Sequence, residues 1–200
     1  MSTTVLVIRH GYNDWVGRTL AGWTPGVHLN ARGREQAEQL CRRLSGVPIQ
    51  AIYSSPLERT RETAGPLSRQ LGLEVRVCDA LGELRLGEWT GRKLCDLEND
   101  PLWRRFNTQR STTRIPGGEH TLEVQTRMAE AFEGIRRSHP NAVVAVFSHG
   151  DPIRAILLHY LGMPLDLMHR IEIEPASVSV VKLHEWGPQV MRMNDMGVLP

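Results

Sequence analysis

Two histidines follow apolar segments that parallel strands of a sheet would bring together. His10 comes after the run "VLVI" in "VLVIRHGYNDW", and His149 comes near the end of "NAVVAVFSHG". A glycine follows each histidine, and Arg9 precedes the first. If both segments are parallel strands, their carboxyl ends meet at one edge of the sheet, where active sites of α/β proteins lie. The pattern therefore predicts a site that contains both imidazoles.

Such histidines could serve either a metal centre or an anion site. A metal centre is disfavoured because neither histidine belongs to an HExxH, HxH or DxH motif, and arginine is not a metal ligand. One guanidinium group can bind two phosphate oxygens at once. Arg9 lies at a predicted strand end and Arg59 at a predicted helix start. Gly22 and Gly150 offer backbone N–H groups at close range. We therefore expect a phosphate site without a metal.

Attack on phosphorus and protonation of the leaving oxygen are the two tasks of such a site. A neutral histidine can attack phosphorus, and surrounding cations favour the neutral form of the imidazole. The segment "LGELRLGEWTG" offers two carboxyl groups, Glu83 and Glu88. A carboxyl group close to phosphate oxygens has a raised pKa and can act as general acid and then as general base. Other phosphate motifs fail, because "GRTLAGWT" lacks the Lys-Ser/Thr of a P-loop.

Apolar periodicity distributes the chain over alternating strands and helices. It predicts strands in "TVLVI", "IQAIYS", "LEVRVCD", "NAVVAVFSHG", "ASVSVVKLHE" (an edge or antiparallel strand) and "PQVMRMND". It predicts helices in "ARGREQAEQLCRRLSG", "SPLERTRETAGPLSRQLG", residues 119–138 and "DPIRAILLHYLG". Asn30 is a candidate N-cap, Ser55 and Glu58 form a candidate capping box, and Pro66 is expected to kink or interrupt its helix. The alternation predicts an α/β fold, a three-layer α/β/α sandwich with a mostly parallel central sheet.

Length and composition are those of one domain of ordinary size. The chain has 200 residues and a formal charge of +2, too small to indicate nucleic acid or a membrane surface as a partner. Three cysteines without a CxxC pair indicate a reducing compartment, and no apolar run is long enough to span a membrane. We expect a single cytoplasmic domain over residues 1–200. Its oligomeric state, monomer or homodimer, stays open.

A series of blocks in this order resembles the histidine phosphatase superfamily, whose fold includes the phosphoglycerate mutases. The blocks are "LVIRHG", "GVHLNARGREQA", "SSPLERTRETA", "LGELRLGEWTG", "PGGE" and "FSHGDPIRA". The resemblance implies that His10 is the nucleophile that becomes phosphohistidine, and that Arg9, Arg59 and His149 form the phosphate pocket. It implies that Glu83, and not the second glutamate of its segment, is the proton donor. It also implies that no metal and no nicotinamide cofactor takes part.

The expected pocket wall departs from the family's usual pattern next to the RHG triplet. Tyr12 and Asn13 stand where the family usually has Glu-Thr or Glu-Ser, and Val16 replaces an asparagine that often binds phosphate. We expect substrate contacts from a set of residues near these positions and on a later loop: Tyr12, Asn13, Gly22, Trp23, Gly150 and His120. Trp23 and Trp89 are expected to line the pocket, whereas Trp103 is expected to be a packing residue.

A small helical insert is predicted between the third and fourth strands. Leu102, Trp103 and Phe106 indicate an amphipathic helix within an insert at about residues 92–118, which would serve as a lid over the substrate. The adjacent pair Arg104-Arg105 could mimic the paired arginines with which the mutases hold a carboxylate. A solvent-facing helix surface is the simpler interpretation.

The sequence predicts an enzyme, and three functions remain to be separated. We predict a metal-independent phosphomonoester hydrolase that acts on a small phosphorylated metabolite through a phosphohistidine. The short insert and the "PGGE" block favour this hydrolase. A phosphoglycerate mutase-type phosphoryl transferase and a non-catalytic phospholigand sensor are the alternatives.

Overall fold

A six-stranded sheet forms the centre of the computed structural model, which describes residues 2–197. The strands are β1 (Ser2–Arg9), β2 (Ile49–Ser54), β3 (Val75–Val77), β4 (Val143–Ser148), β5 (Val178–His184) and β6 (Gly187–Asp195). Their order across the sheet is β3-β2-β4-β1-β5-β6. The strands β3, β2, β4 and β1 are parallel to one another, and β5 runs antiparallel to both of its neighbours. The prediction of a mostly parallel sheet is confirmed, and β5 is an interior antiparallel strand rather than an edge strand.

Helices cover both faces of this sheet. They are α1 (Ala31–Arg43), α2 (Glu58–Leu71), α3 (Leu94–Leu97), α4 (Pro101–Thr108), α5 (Thr121–Ser138) and α6 (Gly150–Leu161). Along β1, Val5 and Val7 pack into the cluster of α5 and α6, whereas Leu6 and Ile8 pack into the cluster of α1 and α2. Alternate residues of a strand point to opposite faces, so both faces of β1 are buried. This arrangement confirms the predicted three-layer sandwich.

The two central strands are joined in a register that decides where the site forms. In β4 the segment "VVAVFS" is almost wholly buried, as expected for an apolar strand between two helical layers. Arg9, the last residue of β1, stands opposite Ser148, the last residue of β4. The backbone N–H of His10 also donates to the carbonyl of Ser148 at 3.0 Å. The chain therefore leaves both strands at the same level of the sheet edge.

Local capping signals in the sequence are borne out only in part. The Asn30 side chain caps α1 by accepting from the Gly33 N–H at 2.9 Å, as predicted. The predicted capping box of α2 does not form, because α2 begins at Glu58 and the Glu58 carboxylate accepts from the Gly26 N–H instead. Helix α2 also continues through Pro66 without interruption. Gly65 precedes this proline, and without a Cβ it reduces the clash that proline imposes on the preceding residue.

The edge strand β6 exposes two apolar residues whose sequence pattern suggests burial. The alternation of Met191 and Met193 along this strand favours a place in the core, yet their exposed fractions are 52% and 44%. Since β6 is the last strand of the sheet, helices do not cover these positions. Among residues 2–197, no helix is both long and apolar enough to cross a membrane.

The insert between β3 and β4 contains the short helices α3 and α4. The Asp100 side chain caps α4 by accepting from the N–H groups of Leu102 and Trp103. Trp89, Trp103 and Phe106 form one aromatic cluster, with ring centroids 5.2–6.0 Å apart. These rings attach the insert to the core of the domain.

A close backbone approach fixes the loop after β1 against α1. A Cβ atom built on Gly33 would lie 2.0 Å from the carbonyl oxygen of Tyr12, and one on Gly11 would lie 2.8 Å from the carbonyl oxygen of Gly33. Gly11 thus packs its α-carbon against the first turn of helix α1. The loop that carries His10 is therefore held by contact with the first turn of α1.

We predict that Gly33→Ala destabilises the fold, because its methyl group must displace the backbone of the loop after β1. The free energy of unfolding, measured by urea denaturation, should fall by about 1–3 kcal/mol. The matched control is Gly134→Ala on the exposed side of α5, where nothing lies within 4 Å of the added Cβ. Alanine is the better helix former, so this control should keep or raise stability. Equal stability of the two variants would contradict the close-approach argument.

Candidate active site

The two predicted histidines meet at the carboxyl end of β1 and β4. The ring centroids of His10 and His149 are 5.2 Å apart, with the planes tilted by 59°. Both side chains are buried. The paired strand ends thus bring together the two imidazoles, as the sequence predicts.

The His10 ring is held in one tautomer. Its Nδ1 atom lies 2.7 Å from the carbonyl oxygen of Gly11, and a carbonyl can only accept, so Nδ1 carries the proton. The Nε2 lone pair is therefore free. Burial, followed by the charges of Arg59 and Arg9, holds the pKa of His10 well below its ordinary value. A neutral ring with a free Nε2 is the form required of a nucleophile.

Two arginines accompany the histidines, of which Arg59 is buried and Arg9 is half-buried. Arg9 Nη1 donates to the carbonyl of Ile173 at 2.6 Å, and Arg59 Nη2 donates to the carbonyl of Gly22 at 2.8 Å. Arg9 Nε and Arg59 Nη1 are also buried, but they have no hydrogen-bond partner among residues 2–197. A buried donor without an acceptor costs free energy, and an anion in this site would satisfy both.

His149 links the histidine pair to a hydroxyl group and to a carboxyl group. Its Nε2 atom lies 2.8 Å from Ser55 Oγ. Its Nδ1 atom lies 3.8 Å from Glu83 Oε2 and has no hydrogen-bond partner in the described part of the chain. Burial and then Arg59 hold the pKa of His149 well below its ordinary value. This imidazole is also neutral and offers a polar atom to a bound group.

Glu83 is the carboxyl group of the site. Burial, and after it the charge of Asp151, raises the pKa of Glu83 to about 7, although Arg59 acts in the opposite direction. One carboxylate oxygen accepts from the Leu84 N–H at 2.8 Å. A carboxyl group with this pKa exchanges protons near neutral pH, as a general acid and base must.

An ion cluster at the start of α6 surrounds the carboxylate of Asp151. Arg110 Nη1 lies 2.8 Å from one Asp151 oxygen, and Arg154 Nη1 lies 3.3 Å from the other. Burial alone would raise the pKa of Asp151, but the two arginines hold it below its ordinary value. Nothing in the sequence indicates the pairing of Arg110 with Asp151, because the two residues are 41 positions apart and no local motif joins them.

These groups line one pocket of about 170 Å³. Seven of the eleven predicted site residues lie in its wall: Arg9, His10, Asn13, Gly22, Arg59, Glu83 and Gly150. His149 contributes from behind through its contacts with His10 and Glu83. Within the described chain, no group of three His, Cys, Asp or Glu side chains is placed to hold a metal ion.

Three predicted contact residues lie outside the lining of this pocket. The Tyr12 ring packs under the Arg32 guanidinium, 3.7 Å from it, because Tyr12 follows the loop towards α1. Trp23 Nε1 donates to the backbone carbonyl of Glu83 at 2.6 Å, so Trp23 supports the carboxyl group from behind. His120 caps α5 by accepting from the Leu122 N–H. Substrate contact by these three residues is not supported by their positions.

The remaining wall is apolar and comes partly from the insert. It includes side chains from the loop after β1, from the segment after Glu83 and from the insert, among them Leu20, Leu86, Leu94, Trp103 and Phe106. The expected tryptophan roles are exchanged, since Trp103 lines the pocket while Trp89 packs behind it. Arg104 and Arg105 are exposed and outside the lining, as the simpler interpretation of this pair predicts.

Comparison with known proteins identifies the family. The family model "Histidine phosphatase superfamily (branch 1)" matches residues 5–196. Phosphoserine phosphatase 1 of Hydrogenobacter thermophilus is 32% identical over 194 residues, which cover 95% of this chain and 91% of the relative. A probable phosphoglycerate mutase GpmB of Escherichia fergusonii is 30% identical over 183 residues, which cover 90% of this chain and 85% of the relative.

A solved structure has the same fold. The structure of mycobacterial glucosyl-3-phosphoglycerate phosphatase superposes with a TM-score of 0.87 at 25% identity, covering 98% of this chain and all of that one (100%). These matches confirm the predicted class of enzyme, a phosphatase or mutase that acts on phosphorylated small molecules. The two histidines at the strand ends are consistent with the family match and with the similarity over most of the chain. The chain therefore belongs to the histidine phosphatase superfamily, branch 1.

Proposed function

We propose that this protein is a metal-independent phosphomonoester hydrolase in which His10 becomes transiently phosphorylated. One observation carries the proposal: Arg9 and Arg59 each place a buried, unpaired donor in the pocket that holds a neutral His10 whose Nε2 is free. Donors fixed in place before the reaction stabilise charge on a transferring phosphoryl group. Glu83, in the same pocket, supplies a carboxyl group that is protonated for much of the time near neutral pH.

In the first step, the Nε2 lone pair of His10 forms a bond to phosphorus while the bond from phosphorus to the alcohol oxygen breaks. Arg9 and Arg59 hold the phosphoryl oxygens, and the first turn of α6, which begins at Gly150, adds N–H donors. Glu83 gives its proton to the departing oxygen, which leaves as the alcohol. The Gly11 carbonyl, bound to Nδ1–H, stabilises the positive charge that develops on the ring.

In the second step, water attacks the phosphorus of phosphohistidine. The ionised Glu83 takes a proton from this water, the N–P bond breaks, and inorganic phosphate is released. His10 recovers its neutral form and Glu83 its proton. Each group therefore returns to its starting state, and no metal or cofactor is needed.

Hydrolysis is favoured over the mutase alternative by the surroundings of the pocket. Arg104 and Arg105, the candidates for a carboxylate-binding pair, instead bond to Glu98, Asn99 and Gln109 in the insert. Relatives named phosphoserine phosphatase and glucosyl-3-phosphoglycerate phosphatase support a small phosphorylated metabolite as substrate. A non-catalytic sensor would have no need for a carboxyl group with a pKa about 7 beside the anion site.

The same proposal extends to domain organisation and cellular context. We propose one domain over residues 1–200, in which α3 and α4 act as a lid; supporting this, Trp103 and Phe106 line the pocket. Free thiols at Cys41, Cys78 and Cys95 support a cytoplasmic location. The small net charge of +2 supports the absence of nucleic acid and membrane partners. Both a monomer and a homodimer fit the proposal.

We predict that the wild-type protein hydrolyses 4-nitrophenyl phosphate with an excess of chelator present. Rapid quenching during turnover should trap a phosphoprotein that is labile in acid and stable in base, as phosphohistidine is. His10→Ala should abolish both the phosphoprotein and turnover, while the control His159→Ala, in α6 and outside the pocket, keeps both. A phosphoprotein that persists in His10→Ala, or activity that needs an added metal, would overturn the mechanism.

The role of Glu83 predicts a dependence on the leaving group. Glutamine cannot donate a proton to the departing oxygen, so Glu83→Gln should lower kcat/KM for glycerol 1-phosphate by about 10²–10⁴-fold. The loss should be much smaller for 4-nitrophenyl phosphate, whose leaving group departs without protonation. An equal loss on both substrates would show that Glu83 is not the general acid.

The pocket charges predict a pH dependence that Asp151 controls. The general acid works in its protonated form, so kcat/KM for glycerol 1-phosphate should fall as pH rises through about 7. Asp151→Asn removes a negative charge that raises the pKa of Glu83, so this descending limb should move to lower pH. Asp166→Asn, whose carboxylate bonds to Ser111 outside the pocket, serves as the control and should leave the limb in place. An unmoved limb in Asp151→Asn would contradict the electrostatic argument.

A further inference from the structure

The side chains of the apolar wall of the pocket are held in place by packing contacts. Trp103 and Phe106 both pack against the buried Trp89, with ring centroids 5.2 Å and 5.3 Å from it. The Arg110 guanidinium lies 4.0 Å from the centre of the Phe106 ring. These contacts fix the two rings relative to Trp89 and give the wall a defined apolar surface.

Backbone hydrogen bonds fix the opposite part of this wall. The Leu20 N–H donates to the Arg92 carbonyl at 2.9 Å, and the Leu20 carbonyl accepts from Gly91 at 2.8 Å. These bonds hold the loop after β1 against the start of the insert. Leu20 and Trp103 are both only half-buried, so part of each side chain remains open to a ligand. Covering that surface would remove apolar area from water and favour binding.

Among residues 2–197, the charged side chains that line the pocket leave no unpaired cation for a second anionic group. Of the three arginines in the lining, Arg9 and Arg59 carry the unpaired donors beside His10. The third, Arg154, uses all its nitrogens: Nε bonds to the Ile171 carbonyl, and the two Nη atoms pair with Asp151 and Glu172. A carboxylate on the leaving alcohol would meet the Asp151 carboxylate or the apolar wall.

We propose that the preferred substrate is a phosphomonoester of an uncharged alcohol that carries an apolar, aromatic-sized group seated against Trp103 and Leu20. The proposal rests on the proposed function, because it describes the leaving alcohol of the same reaction. Trp103 and Leu20 act here as specificity-determining residues. They take no part in the transfer of the phosphoryl group or of the proton.

The test compares three alkyl phosphates on the full-length protein. 2-Phenylethyl phosphate carries an uncharged aromatic alcohol, glycerol 1-phosphate an uncharged polar alcohol, and 3-phosphoglycerate an anionic one. We expect kcat/KM for 2-phenylethyl phosphate to exceed that for glycerol 1-phosphate by about tenfold or more. 3-Phosphoglycerate should be the poorest of the three substrates.

Variants of the wall connect this preference to particular residues. Trp103→Ala should lower the ratio of the two uncharged substrates by about fivefold or more. Leu20→Asn, which places an amide in the wall on a side chain with the same branching, should lower the same ratio and serves if Trp103→Ala does not fold. The control is Trp186→Ala, because Trp186 is 75% exposed, stacks on His184 and lies outside the pocket. It should leave the ratio unchanged.

The outcomes separate this proposal from the proposed function. If 4-nitrophenyl phosphate is not hydrolysed at all, the hydrolase itself is wrong. If it is hydrolysed but 3-phosphoglycerate or glycerol 1-phosphate is preferred, only the substrate class is overturned. The same holds if folded Trp103→Ala or Leu20→Asn keeps the wild-type ratio.

Discussion

The site depends on two guanidinium groups, one buried and one half-buried, that have no ion-pair partner among the described residues. Arg9 and Arg59 are held by single carbonyl groups, those of Ile173 and Gly22, and each keeps a buried N–H without an acceptor. Leaving such groups unsatisfied costs stability, which the packed sheet must offset. The result is a set of donors already oriented before a phosphate enters, so little reorganisation is required during phosphoryl transfer.

The same arginines also set the protonation of the groups around them. Their charges add to burial in keeping His10 neutral, which preserves the Nε2 lone pair. They oppose protonation of Glu83, yet burial and the Asp151 carboxylate outweigh them and raise its pKa to about 7. Asp151 can supply that negative charge because Arg110 keeps it ionised. Burial and the charges of this pocket thus favour both a neutral imidazole at His10 and a protonated carboxyl group at Glu83.

The features of this structure that could be predicted are those that a short stretch of sequence determines by itself. The apolar runs before His10 and His149 identify buried parallel strands, and Asn30 marks the start of α1 by its own side chain. Contacts between distant segments leave no such trace: nothing near Arg110 shows that it binds Asp151. Alternation in β6 cannot show that the strand lies at the sheet edge, so the pattern alone would place Met191 and Met193 in the core. The family resemblance supplied the choice of Glu83, which periodicity could not.

Glu83 differs from the other groups of the site in how it is positioned. The histidines and Arg9 follow directly from the strand ends, whereas Glu83 lies in a segment without a regular helix or strand. Its backbone carbonyl receives hydrogen bonds from Trp23 Nε1 at 2.6 Å and from Arg127 Nη2 at 3.0 Å. Arg127 also binds the carbonyl of Gly82 and pairs with Glu119. These contacts replace the sheet as the support of the carboxyl group. The group that we propose as the proton donor is therefore fixed by these backbone contacts, next to the apolar wall that we propose receives the alcohol.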